Sequence, residues 1–199
     1  MIYFFRMIIN LIFIIVLLLA YSTLSWTFEI YKIKENKGIQ SNKQFFGISN
    51  SWRLECKVQT SGRGEGSKSC RIEPTDGKYY PKAGHYMTTG KGVKLFIFNK
   101  KNSRYGPSLS VKCYGLPLFG TTMKLKIGNK EFVKLVTNKS LGREWHGSEA
   151  DEMIPYFIKY SKLYYEYIDG NRKINKGTQS LIGFTKAWEY AVQFSGYEK

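Results

Sequence analysis

The sequence predicts a mainly β protein, an antiparallel β-sandwich or barrel with two helices, on three observations. Period-two alternation of apolar and polar residues recurs along most of the chain after residue 51. Glycine- and asparagine-containing turn signals separate these runs, and helical periodicity is confined to two short segments.

The strands follow in order. Trp52-Arg-Leu-Glu-Cys-Lys-Val58 alternates as a half-buried strand does, and Lys68–Glu73 supplies a short partner. Val93–Phe98 is a denser apolar run, and Leu109–Tyr114 alternates again. Thr122–Ile127 and Glu131–Val136 flank Gly128-Asn129-Lys130, a short hairpin loop. Leu163–Ile168 runs into the turn signal Asp169-Gly170-Asn171, and a returning strand is expected through Ser180–Ile182. There is no internal repeat.

A short helix is expected near 149–160. Ser148-Glu-Ala-Asp151 has the form of a capping box, and Pro155 should keep the helix short, because proline is tolerated only in a first turn. A C-terminal helix is expected near 184–194, where Phe184, Trp188, Ala191 and Val192 form one stripe. Thr185 or Ser180 would cap it and Gly196 would stop it.

Residues 1–25 read as a signal peptide or an N-terminal membrane anchor. Arg6 is the only charge before Glu29, and Met7–Phe28 is long enough to cross a bilayer, for which ~20 apolar residues suffice. The densest apolar part, Leu11–Ala20, has the length of a signal-peptide core, and cleavage could follow Ser22 or Ser25. Lys32, Lys34 and Lys37 follow this run and pull against export by the positive-inside rule. The cysteines argue for it. Residues 26–50 read as a basic tether, and 51–199 as a single β-rich domain. The expected location is periplasmic or secreted, or held at the inner membrane by residues 7–28.

Cys56 and Cys70 would close a loop of about 15 residues through a polar, glycine-rich segment, worth ~3 kcal/mol in the chain-entropy model. Cys113 is then left over as a thiol in a strand-like run, where it would behave as a small buried hydrophobe.

The formal charge is +16, from 31 Lys and Arg against 15 Asp and Glu. Such a field attracts polyanions, although scattered lysines are also what a compositional bias toward Lys, Asn, Ile and Tyr produces. Aromatic residues among the lysines (Tyr79, Tyr80, Tyr86, Phe96, Phe98, Tyr105, Tyr114) would suit single-stranded nucleic acid on a sheet. They equally suit strand packing, and export removes the protein from nucleic acid, so none is expected as a partner.

No catalytic signature emerges. A Gly-x-Ser-x-Gly elbow is missing from the sequence. Gly84 to Gly92 imitates a phosphate loop, but the spacing is one residue too long and Gly92 stands where a magnesium-binding hydroxyl is required. Gly62-Arg-Gly-Glu-Gly reads as a turn. The two histidines are His85 and His146. His146 with Glu149, Asp151 and Glu152 offers one nitrogen and several carboxylates, a poor zinc set, and an acid pair that spacing alone does not make a glycosidase. No catalytic, cofactor or metal residue is therefore assigned. Asn138-Lys-Ser140 fits a glycosylation acceptor, relevant only in a eukaryotic secretory host.

Phe46-Gly47, Trp52-Arg-Leu-Glu-Cys56 and Cys70 resemble the opening of the invasion-associated locus B family. Leu116-Pro-Leu-Phe-Gly, Met123-Lys-Leu-Lys-Ile and Gly128-Asn-Lys-Glu-Phe are similar to its central stretch and hairpin, and Ser180-Leu-Ile-Gly-Phe-Thr-Lys-Ala187 to its closing segment. The resemblance implies a periplasmic or secreted bacterial protein of mainly β fold, linked to the envelope or to host-cell invasion. The family's second close cysteine pair has no counterpart in the stretch from Val136 to His146. Three functions follow as expectations: a non-enzymatic envelope protein binding a protein or polyanionic partner; a periplasmic inhibitor or immunity protein blocking a hydrolase or toxin; a hydrolase using His146 and the nearby acids.

Overall fold

The computed structural model describes residues 28–37, 41–62, 65–80, 85–88, 92–98, 107–113, 116–137 and 144–197, with side chains left aside at 36, 76–98 and 112. The signal or anchor segment, save Phe28, lies outside them, as do Tyr105, Tyr114, Asn138 and, in the Gly84–Gly92 loop, residues 84 and 89–91.

Two antiparallel sheets make the β-sandwich-like fold. The larger runs β1 (Glu29–Asn36), β2 (Asn42–Ser49), β3 (Trp52–Gln59), β4 (Lys68–Tyr80), β6 (Gly92–Phe98), β7 (Ser108–Lys112) and β10 (Glu144–His146). The short β5 (His85–Thr88) pairs with the far half of β4. The smaller sheet runs β12 (Ile174–Ser180), β11 (Lys162–Ile168), β8 (Thr122–Ile127) and β9 (Lys130–Leu135).

Within the segment 26–50, expected as a tether, Glu29–Asn36 and Asn42–Ser49 form instead the first two strands of the large sheet. The physical reason is that an outer strand needs only backbone pairing. In β1 Glu29, Lys34 and Glu35 are exposed and blunt the edge, so its composition imitates a linker.

Each sheet turns one face inward. Trp52, Leu54 and Cys56 of β3 lie beside Cys70 and Ile72 of β4, and Leu109 and Val111 of β7 extend the layer. Met123, Leu125 and Ile127 of β8, Phe132 of β9, and Leu163, Tyr165 and Tyr167 of β11 supply the small sheet's share of the same core. Cys56 stands directly opposite Cys70, with Cα atoms 4.1 Å apart, and the two form a disulfide inside this core. That disulfide faces helix α2 (Phe184–Ser195), which packs across β2, β3, β4 and β6.

Helix α1 (Ser148–Lys159) carries Pro155 in its interior. The short helix expected near 149–160 is thus present, and packing lets it carry the proline. Ala150, Met153, Ile154 and Phe157 are buried along one stripe, and that burial outweighs one lost backbone hydrogen bond on the exposed side, where Pro155 sits. Ser148 is not the cap. Gly147 holds that position, with its amide donating to the Pro107 carbonyl at 2.9 Å and no side chain closing the turn. Phe184 joins the layers, its ring centroid 5.1 Å from both Trp52 of β3 and Phe157 of α1. Helix α2 starts after Gly183 without a side-chain cap, so neither Thr185 nor Ser180 serves, and it stops at Gly196 as the sequence predicts.

On the outward face of the large sheet, Arg53 opposes Glu73 and Glu55 opposes Arg71, and the four charges interlock at 2.7–3.6 Å. Glu73 is almost fully covered there, which confines a carboxylate between two guanidinium groups.

Candidate binding face

The small sheet has one face on the core and one in water, the usual condition of an antiparallel sheet in a sandwich. Register fixes what the wet face displays. Lys176 of β12, Glu166 of β11, Lys124 of β8 and Val133 of β9 stand side by side in one row. Thr178, Tyr164, Lys126 and Glu131 make the next. These two rows, Val133 apart, floor an open cleft of about 450 Å³.

Tyr165, on the buried face, shapes the floor from beneath. It opposes Gly177 of β12, and a side chain at Gly177 would run into the tyrosine ring. The backbone of β12 therefore approaches the ring with nothing between them.

The cleft is predominantly cationic. Lys176 Nζ donates to Glu166 Oε2 at 2.8 Å, and this hydrogen bond, with the charges of Lys176 and Lys124, holds the Glu166 carboxyl below its ordinary range. Lys124 and Lys126 make no ion pair among the described residues. Two ammonium groups thus stand open to an anion, beside the hydroxyl-bearing Tyr164 and Thr178.

The residues singled out from the sequence are placed elsewhere. His146 is exposed at the end of β10, with Nε2 3.4 Å from Glu144 Oε2. Glu149 pairs with Lys134, and Glu152 with Lys130 at 3.3 Å. Asp151 accepts from the Tyr197 hydroxyl at 2.8 Å, and burial together with this carboxylate pushes the tyrosine's ionisation upward. His146 and the three acids are thus each engaged with a different neighbour. Among the described residues no three His, Cys, Asp or Glu side chains gather as a metal site would require. Cys113 lies just past β7, half buried, with its Sγ 3.6 Å from the Val111 carbonyl oxygen.

No helix among the described residues is long and apolar enough to cross a membrane. Comparison of the chain with protein-family models, with curated proteins and with solved structures gave no match.

The lysines and Tyr164 of the cleft escaped the sequence reading for a physical reason. Outward residues of any amphipathic strand are polar, so Lys124 and Lys126 look like ordinary solvated positions. Only the pairing of β11 with β8 on one side and β12 on the other brings Tyr164 and Lys176 beside them.

Proposed function

We propose that the chain is a non-enzymatic bacterial envelope protein, exported from the cytoplasm, that binds an anionic, phosphate-bearing surface through the wet face of its small sheet. The carrying observation is the pair Lys124 and Lys126, which stand on an open cleft with no ion pair among the described residues. The high positive charge supplies a long-range field toward the same kind of partner. Export is supported by the Cys56–Cys70 disulfide, since such bonds persist in oxidising compartments. Distant kinship with the invasion-associated locus B family is part of the proposal, and rests on the motifs around Trp52, Leu116 and Ser180.

The test is a titration of the full chain, held in phosphatidylcholine vesicles, with long-chain polyphosphate. Binding should weaken steeply as salt rises from about 0.05 to about 0.3 M, where screening shortens the range of exposed charges. The Lys124→Glu, Lys126→Glu double variant should lose most of the affinity. Binding that is absent at low salt, or indifferent to salt, would overturn the proposal.

A further inference from the structure

One end of the wet face differs from the cleft. There β8 begins, β9 ends, β11 ends and β12 begins, and the side chains turn apolar. Ile174 opposes Ile168 across β12 and β11, and Leu135 opposes Thr122 across β9 and β8. The turn from Leu116 to Thr121 folds over the same end and adds Leu116 and Phe119. Leu116, Phe119, Leu135 and Ile174 are each more than half exposed.

This exposure is held in place by the backbone. The Leu118 amide donates to the Ile168 carbonyl at 2.8 Å, the Gly170 amide to the Leu116 carbonyl at 2.9 Å, and the Gly120 amide to the Val136 carbonyl at 3.0 Å. Thr121 Oγ1 donates to the Leu118 carbonyl at 2.6 Å and closes the turn on itself. Two strands and a turn therefore fix four apolar side chains in water, at the expense of the burial they would otherwise gain.

The charges around this end are sorted. Arg172 and Lys173 sit immediately before Ile174, and Lys124 and Lys176 occupy the next row. Both nearby acids are turned to internal use. Asp169 accepts from the Asn171 and Lys173 amides and from Asn175 Nδ2, and Glu166 is held by Lys176. What faces outward is an apolar tip with a cationic rim.

We infer that this end of the small sheet docks on a lipid bilayer containing anionic headgroups, with Leu116, Phe119, Leu135 and Ile174 entering the interface and the surrounding cations meeting phosphate. Charge complementarity selects this occupant. Apolar side chains gain by entering the headgroup boundary, and basic residues near an anionic leaflet add to that gain, so the two features act together only at such a surface. The inference rests on the anionic-surface reading above and names the surface as lipid.

The experiment is hydrogen exchange on the full chain in vesicles of phosphatidylcholine alone and with about 30% phosphatidylglycerol. Comparing two lipid compositions makes the result independent of how the N-terminal segment behaves. The amides of 116–121 and 171–174 should slow on the order of tenfold with phosphatidylglycerol only. The Leu116→Ser, Phe119→Ser double variant should lose that slowing, while amides of β8 and β9 keep their protection and report an intact sheet. Equal exchange in the two lipids would overturn the inference, as would slowing that depends on protein density rather than lipid charge, the mark of a second copy as occupant. Polyphosphate binding measured alongside separates the two ideas. If the double variant still binds polyphosphate while wild-type exchange ignores phosphatidylglycerol, the lipid inference fails and the cationic cleft stands. If polyphosphate binding is absent, the cleft reading fails with it.

Discussion

The Tyr165 ring occupies the space that a side chain at Gly177 would need: a Cβ there would stand 2.2 Å from both Cζ and Oη of the tyrosine. Tyr165 is buried, so its ring can give way only by disturbing the side chains packed around it. Gly177→Ala should therefore cost about 1–3 kcal/mol, as overpacking does. Urea denaturation measures it, and the same substitution in a Tyr165→Leu background should lose most of that cost. An unchanged midpoint in the wild-type background would show that the ring moves freely.

Gly183 is a stricter case. Its φ is +91°, and a Cβ would meet the Ser49 carbonyl oxygen at 2.3 Å, so both the dihedral and a neighbouring main chain oppose a side chain. Gly183→Ala should destabilise by roughly 2–4 kcal/mol, more than Gly177→Ala, because backbone cannot retreat as a ring tip can. Thermal unfolding of the two variants side by side checks the order.

Reduction of Cys56–Cys70 should lower stability by about 3 kcal/mol, from the loop-closure entropy returned to the unfolded chain. The comparison is the urea midpoint with and without reductant, repeated on the Cys56→Ser, Cys70→Ser variant. That variant should match the reduced protein and show no further response to reductant.

The charge cluster outside β3 and β4 makes an asymmetric prediction. Arg53→Met removes one of the two guanidinium groups that hold the covered Glu73 among the described residues, and should cost about 3 kcal/mol, the penalty of weakening a buried ion pair. Replacing the pair together, Arg53→Met with Glu73→Leu, should cost less than Arg53→Met alone. A double variant less stable than the single one would refute the argument.

Asp169 gives the acid dependence. The Asn175 amide first, then the Lys173 and Asn171 backbone amides, hold its carboxyl below the ordinary range. A carboxyl with a depressed folded pKa binds fewer protons folded than unfolded. Its contribution is thus present above the unfolded value near ~4 and is lost as pH falls through the folded one. Asp169→Asn should lower the melting temperature at about pH 7, and the difference should shrink toward about pH 3. A difference that stays constant across that range would contradict the assignment.

Much of the architecture is legible from alternation alone. Strands β3, β8, β9 and β11 each bury one face on the common core, and a buried face imposes a period of two. Strand β1 was hidden because an edge strand is stabilised through main-chain bonds, which leave no trace in side-chain type, and β2 because its residues 42–46 are only half buried and show no alternation. The cap of α1 misled because Ser148 has the right chemistry one position too late, after Gly147 has already made the turn. His146 and its neighbouring acids were close in sequence, yet helix geometry and cross-strand lysines sent Glu149, Asp151 and Glu152 to separate partners. The cationic cleft was illegible for the opposite reason: its residues are distant in sequence and meet only through register.

The direct opposition of Cys56 and Cys70 on neighbouring strands bears on how the bond is made. A chain that enters an oxidising space from its N-terminal side presents these two thiols while Cys113 is still behind them. At that moment only one pairing exists, and the β3–β4 hairpin that aligns it needs no later part of the chain. The order of the cysteines thus removes the wrong partners by timing, and an isomerase would have nothing to correct.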